Sequence, residues 1–119
     1  ILILTNINHK DIAKYYTDND IFILPSTKEP ASISIIEALS FGLPVICSKT
    51  CGTSNYIKDG YNGLLFEDNS LPSLKENILK ILYKKKYIEF KNNILKMNNN
   101  LKNKDEFYNK LNTLIKLNF

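Results

Sequence analysis

The chain is poor in the residues that metal and redox chemistry need. It holds two cysteines and one histidine in 119 residues. Cys47 and Cys51 stand four apart, with no further Cys or nearby His to complete a ligand set, so no metal site is expected. A disulfide across so short a loop would be strained. Two free thiols suit a reducing compartment, and the expected location is the cytoplasm. Long apolar runs are also missing: none approaches the ~18–20 residues that span a bilayer. No signal peptide is visible. The first residue is Ile rather than Met, so the chain is expected to be a piece of a longer protein.

Acidic residues are outnumbered, 12 against 16 basic, which leaves a net charge of +4 and a pI near 9.0. That balance favours anionic partners in general, such as a nucleotide, a phosphate, an anionic lipid surface or nucleic acid, without choosing among them. Nucleic acid is not expected, because no aromatics alternate with the basic residues on one sheet face and the lysines fall on solvated helix faces. At this length one domain is the upper bound, and 44% apolar residues suffice for a moderate core.

What the chain does have is organised around Glu29–Cys47, E-P-A-S-I-S-I-I-E-A-L-S-F-G-L-P-V-I-C. It reads as loop, helix, tight turn and strand. Ser32 is placed to cap the helix start. Ile33–Phe41 is apolar almost all round, the mark of a helix buried on most sides. Gly42 suits a left-handed C′ position, and Pro44 prevents continuation. Glu37 sits inside this apolar helix, and a buried carboxylate is costly without partners. On the helix pattern alone it fits a partly exposed residue paired with a nearby Lys. The other reading is a carboxylate facing a crevice, accepting from a ligand's hydroxyls.

Strand patterns flank this stretch. Ile1–Leu4 and Ile21–Leu24 are short continuous apolar runs, as in strands covered on both faces. Asn8 and Asp11 are spaced like an N-cap and its N3 partner, opening a helix from about His9 to Thr17 with Ile12, Ala13 and Tyr16 facing the sheet. His9 is expected in a surface or capping role. Val45–Cys47 is a third strand and Leu64–Phe66 a fourth. Asn55–Ile57 reads as a short helical turn. Lys58-Asp59-Gly60 and Asn62-Gly63 are turn chemistry tolerant of positive φ.

Strands separated by helices imply an α/β fold with a Rossmann-like parallel sheet and flanking helices. Ligands then bind beyond the carboxyl ends of the strands, here Thr5-Asn6, Pro25–Glu29, Ser48–Thr53 and Glu67. From Ser70, placed as an N-cap, a helix carries Leu74, Ile78, Ile81 and Leu82 on one face, runs to about Tyr83 and ends in Lys84-Lys85-Lys86, which suits a helix C-terminus. Further helices are expected over Tyr87–Asn98, with Phe90, Ile94 and Met97 in core positions, and over Lys104–Leu117, with a break at Asn98–Asn100. The division expected is residues 1–83 as a partial ligand-binding domain and 84–119 as a helical extension.

Glu29 and Glu37, followed by A-L-S-F-G-L-P-V-I, resemble the paired-glutamate motif of retaining glycosyltransferases of family 4. D-I-F-I-L-P-S and D-G-Y-N-G-L-L-F resemble that family's strand ending in Pro-Ser and its turn and next strand. The resemblance implies the GT-B architecture of two Rossmann-like domains facing across a cleft, of which this chain is part of the C-terminal, donor-binding domain. It implies transfer of a sugar, of the hexosyltransferase type, from a UDP-sugar or GDP-sugar to a glycan or lipid-linked acceptor with retained configuration. Glu29 would lie by the donor sugar and leaving phosphate as the catalytic carboxylate, and Glu37 would accept from the ribose hydroxyls. The N–H groups of Ser32 and Ile33 would face the diphosphate. Gly52 and Thr53 would lie near the nucleotide, and Ser26 by the base. No metal or other cofactor is implied.

Two departures stand out. Pro30-Ala31-Ser32 replaces the Gly-Phe-Gly of many relatives, which narrows backbone approach and bears on sugar preference. The basic residues that clamp the diphosphate and the acceptor domain of relatives are not in this stretch, so the chain alone is expected to be inactive. The usual strand order would place two further strands between Ile1–Leu4 and Ile21–Leu24. The rival readings are another GT-B enzyme, such as a sugar-nucleotide epimerase or a phosphorylase, and a non-catalytic nucleotide-sugar-binding module on the same scaffold. The Lys84–Lys86 cluster reads as a solvated helix end. Its alternative use is contact with an anionic membrane, at the inner face, carrying a lipid-linked acceptor.

Overall fold

The computed structural model describes residues 11–25 and 33–100. The expected strand at Ile1–Leu4, the Asn8 cap, His9, and the helix over Lys104–Leu117 lie outside the described residues.

Among the described residues, three short parallel strands form the sheet: β1 (Phe22–Leu24), β2 (Val45–Ser48) and β3 (Gly63–Phe66), in the order β1-β2-β3. Phe22, Ile23 and Leu24 align with Val45, Ile46 and Cys47. Val45 to Ser48 align with Gly63 to Phe66. The period-two side-chain alternation of a strand sorts these residues onto two faces. Phe22, Leu24, Val45, Cys47 and Leu65 meet one core cluster, with Tyr16, Ile35, Ala38, Leu39, Ile57 and Ile94. Ile23, Ile46, Leu64 and Phe66 meet the other, with Ile78, Ile81 and Phe90. Both faces are covered, which is why the strands read as unbroken apolar runs.

α1 (Ile12–Asp18) and α2 (Ile33–Ser40) lie on the first face. Asp11 flanks α1 in the N-cap position and makes no side-chain cap bond, so it is not the N3 member of a capping box. Tyr16 packs inward as expected, whereas Ala13 is exposed. α1 ends where the Asn19 side-chain amide donates to the Tyr15 carbonyl at 2.6 Å, satisfying an acceptor that the last turn leaves open.

α2 closes in a Schellman motif. Gly42 adopts φ +82°, its N–H donates to the Leu39 carbonyl at 3.0 Å, and the Leu43 N–H donates to the Ala38 carbonyl at 2.9 Å. Pro44 follows and β2 begins. Between β2 and β3 the crossover carries only a single 3-10 turn at Ser54–Tyr56. Of the expected turn residues, Gly60 takes positive φ, at +82°, while Asn62 and Gly63 do not. Asn62 is buried instead. Its side chain accepts from the Lys58 N–H at 2.7 Å and donates to the Tyr56 carbonyl at 3.1 Å, holding the loop in shape.

α3 (Leu71–Leu82) covers the second face through Leu74, Ile78 and Ile81. Leu82, expected on that face, is 49% exposed, because α3 has turned past the sheet by its last residue. Ser70 caps α3 by accepting from the Ser73 N–H at 3.2 Å, and Pro72 stands in the first turn. Ser70→Ala is expected to lower stability by about 1 kcal/mol, read as a shift of the denaturation midpoint. Ser70→Asp should retain most of that stability.

α3 ends at Leu82, one residue before the expected end, and the lysine cluster follows it. Lys84 and Lys85 take positive φ, 49° and 54°, in a tight turn that redirects the chain. Lys86 opens α4 (Lys86–Asn100) and pairs with Glu89 at 2.9 Å. α4 runs through Asn98–Asn100 without the expected break. It contributes Phe90 and Ile94 to the sheet's core, while Met97 is partly exposed at its margin. Asn93 donates to the Tyr61 carbonyl at 2.8 Å, and Asn98 to the Leu39 carbonyl at 3.5 Å. Tyr61 and Leu39 both precede strands. These two bonds tie α4 to the end of the sheet where β2 and β3 begin.

Candidate functional site

The crossover geometry sets the site. α2 runs back against the direction of β1 and β2, so its first residue, Ile33, lies toward the carboxyl ends of the strands. The first N–H groups of a helix have no acceptor within it and carry partial positive charge. Ser26, Glu29 and Ser32 lie outside the described residues. The described part of the candidate site consists of Ile33, Glu37, Gly52 and Thr53.

Glu37 is 7% exposed. It is not the solvent-facing partner of a lysine. Its Oε2 accepts a hydrogen bond of 3.1 Å from the Tyr16 hydroxyl, and it has no ion pair among the described residues. The carboxylate is thus stabilised by a neutral donor and keeps unneutralised acceptor capacity. The Tyr16 hydroxyl also approaches the Ser34 carbonyl at 3.4 Å. Burial, and then the adjacent Glu37 charge and hydrogen bond, push the Tyr16 phenol well above its ordinary pKa, so it stays a donor. Sequence reasoning assigned Tyr16 only to the core. The available signal was its hydroxyl: a buried tyrosine, unlike a phenylalanine, needs a partner for its O–H.

At the carboxyl end of β2 the chain turns through Lys49–Thr53. Lys49 pairs with Glu67 just beyond β3, bridging the two strand ends on the exposed surface. The Glu67 hydrogen bond, ahead of its charge, raises the Lys49 pKa. The Thr50 N–H donates to the buried Ser48 hydroxyl at 3.2 Å. Gly52 is exposed on this loop. Thr53 is buried, with its hydroxyl 3.3 Å from the Cys51 sulfur, so its side chain serves the loop's own packing. Cys47 and Cys51 are both free and buried. Burial, and then Cys51, push the Cys47 thiol up to about 12, which keeps it protonated and unreactive.

No group of three or more His, Cys, Asp or Glu able to hold a metal occurs among the described residues. No helix among them is long and apolar enough to cross a membrane.

A parallel α/β sheet, a helix starting at its carboxyl edge and a buried, phenol-bound carboxylate on that helix define a Rossmann-like ligand-binding scaffold. Residues 1–113 match the family described as glycosyl transferases group 1, and the chain belongs to that family. It is 34% identical over 71 residues to the UDP-Gal:alpha-D-GlcNAc-diphosphoundecaprenol alpha-1,3-galactosyltransferase of Escherichia coli, a match covering 60% of this chain and 18% of that protein. It is 34% identical over 98 residues to an uncharacterized glycosyltransferase of Methanocaldococcus jannaschii, covering 78% of this chain and 25% of that one. Among solved structures, the sucrose-phosphate synthase of Thermosynechococcus elongatus superposes with a TM-score of 0.74 at 25% identity, over 96% of this chain and 29% of that one. The chain therefore has the Rossmann-like, GT-B-type fold of a glycosyltransferase and spans about a quarter or less of the curated relatives named here.

Proposed function

We propose that this chain is part of the donor-binding domain of a retaining, family-4-type glycosyltransferase that takes a nucleoside-diphosphate sugar. The observation that carries the reading is Glu37: a buried carboxylate, bound by a phenol rather than a cation, on the helix that starts at the carboxyl edge of the sheet. An acceptor-only carboxylate suits the vicinal hydroxyls of a ribose. In this reading the N–H groups of Ser32 and Ile33 meet the diphosphate, where the partial positive charge of the helix start favours an anion. Gly52 and Thr53 belong to the loop over the nucleotide, and Ser26 lies by the base. Glu29 stands by the donor sugar and the leaving phosphate.

The acceptor is a glycan or lipid-linked glycan. The name of the Escherichia coli relative, with its diphosphoundecaprenol-linked acceptor, supports that class. In the reaction the bond from the anomeric carbon to the diphosphate breaks, the acceptor oxygen bonds to that carbon, and the acceptor's proton is lost. Catalysis then rests on positioning and on stabilising the departing diphosphate.

The test is a titration of UDP and of GDP followed by amide chemical shifts, with Glu37→Ala beside the unaltered protein. Losing a charged acceptor should weaken binding by about 1.5–3 kcal/mol, about 10- to 150-fold. Shifts should cluster at Ile33–Glu37 and Ser48–Thr53. Binding indifferent to Glu37 would falsify the ribose assignment.

A further inference from the structure

Tyr16 is placed to do more than fill the core. It reaches the α2 carboxylate from α1, 21 residues earlier in the chain, and donates to Glu37 Oε2 at 3.1 Å. Its ring is held on two sides. Phe22 of β1 lies at 5.8 Å between centroids and tilted by 59°, and Phe41 lies at 5.4 Å, stacked at 21°. At 4% exposure the ring has little room to change rotamer. The hydroxyl is therefore fixed by packing, and it fixes the carboxylate in turn. Phe alone would fill the same space between Phe22 and Phe41; the oxygen is the only atom that packing does not require.

We propose that Tyr16 is the positioning residue for Glu37, occupying Oε2 from the protein side so that Oε1 is left to accept from the vicinal ribose hydroxyls of the donor. The inference rests on the reading of Glu37 as the ribose acceptor. A carboxylate with both oxygens free would rotate among orientations, and ordering it on binding would cost affinity. A lysine in the place of Tyr16 would order it equally but would compete for its charge. A phenol orders it and leaves the charge to the ligand.

The experiment compares UDP and GDP with their 2′,3′-dideoxy analogues, by calorimetry, on the unaltered protein, Tyr16→Phe, Glu37→Gln and the double variant. Tyr16→Phe removes one oxygen and keeps both ring contacts. It is expected to weaken binding of the ribonucleotide about fivefold and to leave the dideoxy analogue unchanged. In the Glu37→Gln background it should add little, because the group it positions has already changed. A purely structural tyrosine would instead lower the denaturation midpoint and shift both ligands alike, or neither, and that result overturns the proposal. If Glu37→Gln discriminates between ribose and dideoxyribose while Tyr16→Phe does not, the positioning role falls and the ribose reading stands. If Glu37→Gln fails to discriminate, or the unaltered protein binds neither ribonucleotide, the ribose reading falls and takes this inference with it.

Discussion

Gly63→Ala is expected to destabilise the protein by about 3 kcal/mol or more, the upper end of the range for overpacking a core. A Cβ built on Gly63 would lie 2.2 Å from the Val45 carbonyl oxygen and 3.2 Å from its carbon, with Ile57 Cγ2 at 3.1 Å. The obstacle is backbone of the adjacent parallel strand, paired in register with Gly63. It cannot swing aside as the end of a long side chain could. Val45 is itself fully buried, so moving it disturbs the core around it. Conformational freedom is not the reason for glycine here, since Gly63 does not take positive φ.

Gly60 supplies the contrast. It takes φ +82° and would place a Cβ in open space. Gly60→Ala should therefore cost only the left-handed penalty of an L-residue, about 1–2 kcal/mol. Urea denaturation of the two variants side by side separates the causes. If Gly63→Ala cost no more than Gly60→Ala, the close approach of β3 to β2 would not be the reason for that glycine.

The same pair of glycines shows what was legible in the sequence. A turn was readable at D-G-Y-N-G, and so was a strand after it, because turn chemistry and apolar runs are local. Which glycine needs positive φ and which needs the absence of a side chain depends on a neighbouring strand, and the sequence does not print that distance. Asn62 was read as a turn former for the same reason, although its side chain is a buried brace for the loop.

The helix α2, its Gly42 stop and the Ser70 cap were all readable, since each depends on residues within one or two turns. The lysine cluster marked the end of α3, since a run of cations suits a helix end, but not the positive-φ turn by which Lys84 and Lys85 lead into α4. The α4 pattern was readable in Phe90 and Ile94. Its persistence through three asparagines was not, because helix propensity is a weak prior that tertiary contacts override. Asn98 supplies one such contact, to the Leu39 carbonyl.

At the candidate site, Glu37 stood out as a carboxylate in an apolar helix, and the start of that helix toward the carboxyl ends of the strands followed from strand direction. Its partner did not follow. A nearby lysine was expected only if Glu37 were partly exposed; it is buried, and its donor is a phenol from a helix on the other side of β1 in sequence. Pairings at that separation are set by packing, and only the tyrosine hydroxyl hinted at one.

Phe90→Ala is expected to lower stability by about 3–5 kcal/mol, a large part of the ~5–15 kcal/mol that a domain possesses. Phe90 is 1% exposed and sits among Ile46, Leu64, Phe66 and Ile81, so it joins α4 to two strands and to α3 at once. Removing the ring leaves a cavity that three elements of fixed backbone cannot collapse to fill. Phe90→Leu, which keeps much of the volume, should cost less than ~1.5 kcal/mol.

The functional consequence is the more discriminating part. α4 is tied to the end of the sheet where β2 and β3 begin, whereas the candidate donor site lies toward their carboxyl ends. Phe90→Ala should therefore lower the denaturation midpoint steeply while leaving nucleotide affinity nearly unchanged at temperatures where the variant is folded. Glu37→Ala should do the reverse, weakening affinity with a smaller effect on the midpoint. Calorimetric titration at low temperature together with thermal melts of both variants reads the two quantities independently. A Phe90→Ala protein that is folded but no longer binds would mean that the two ends of the sheet are coupled, and that α4 belongs to the binding machinery rather than to its foundation.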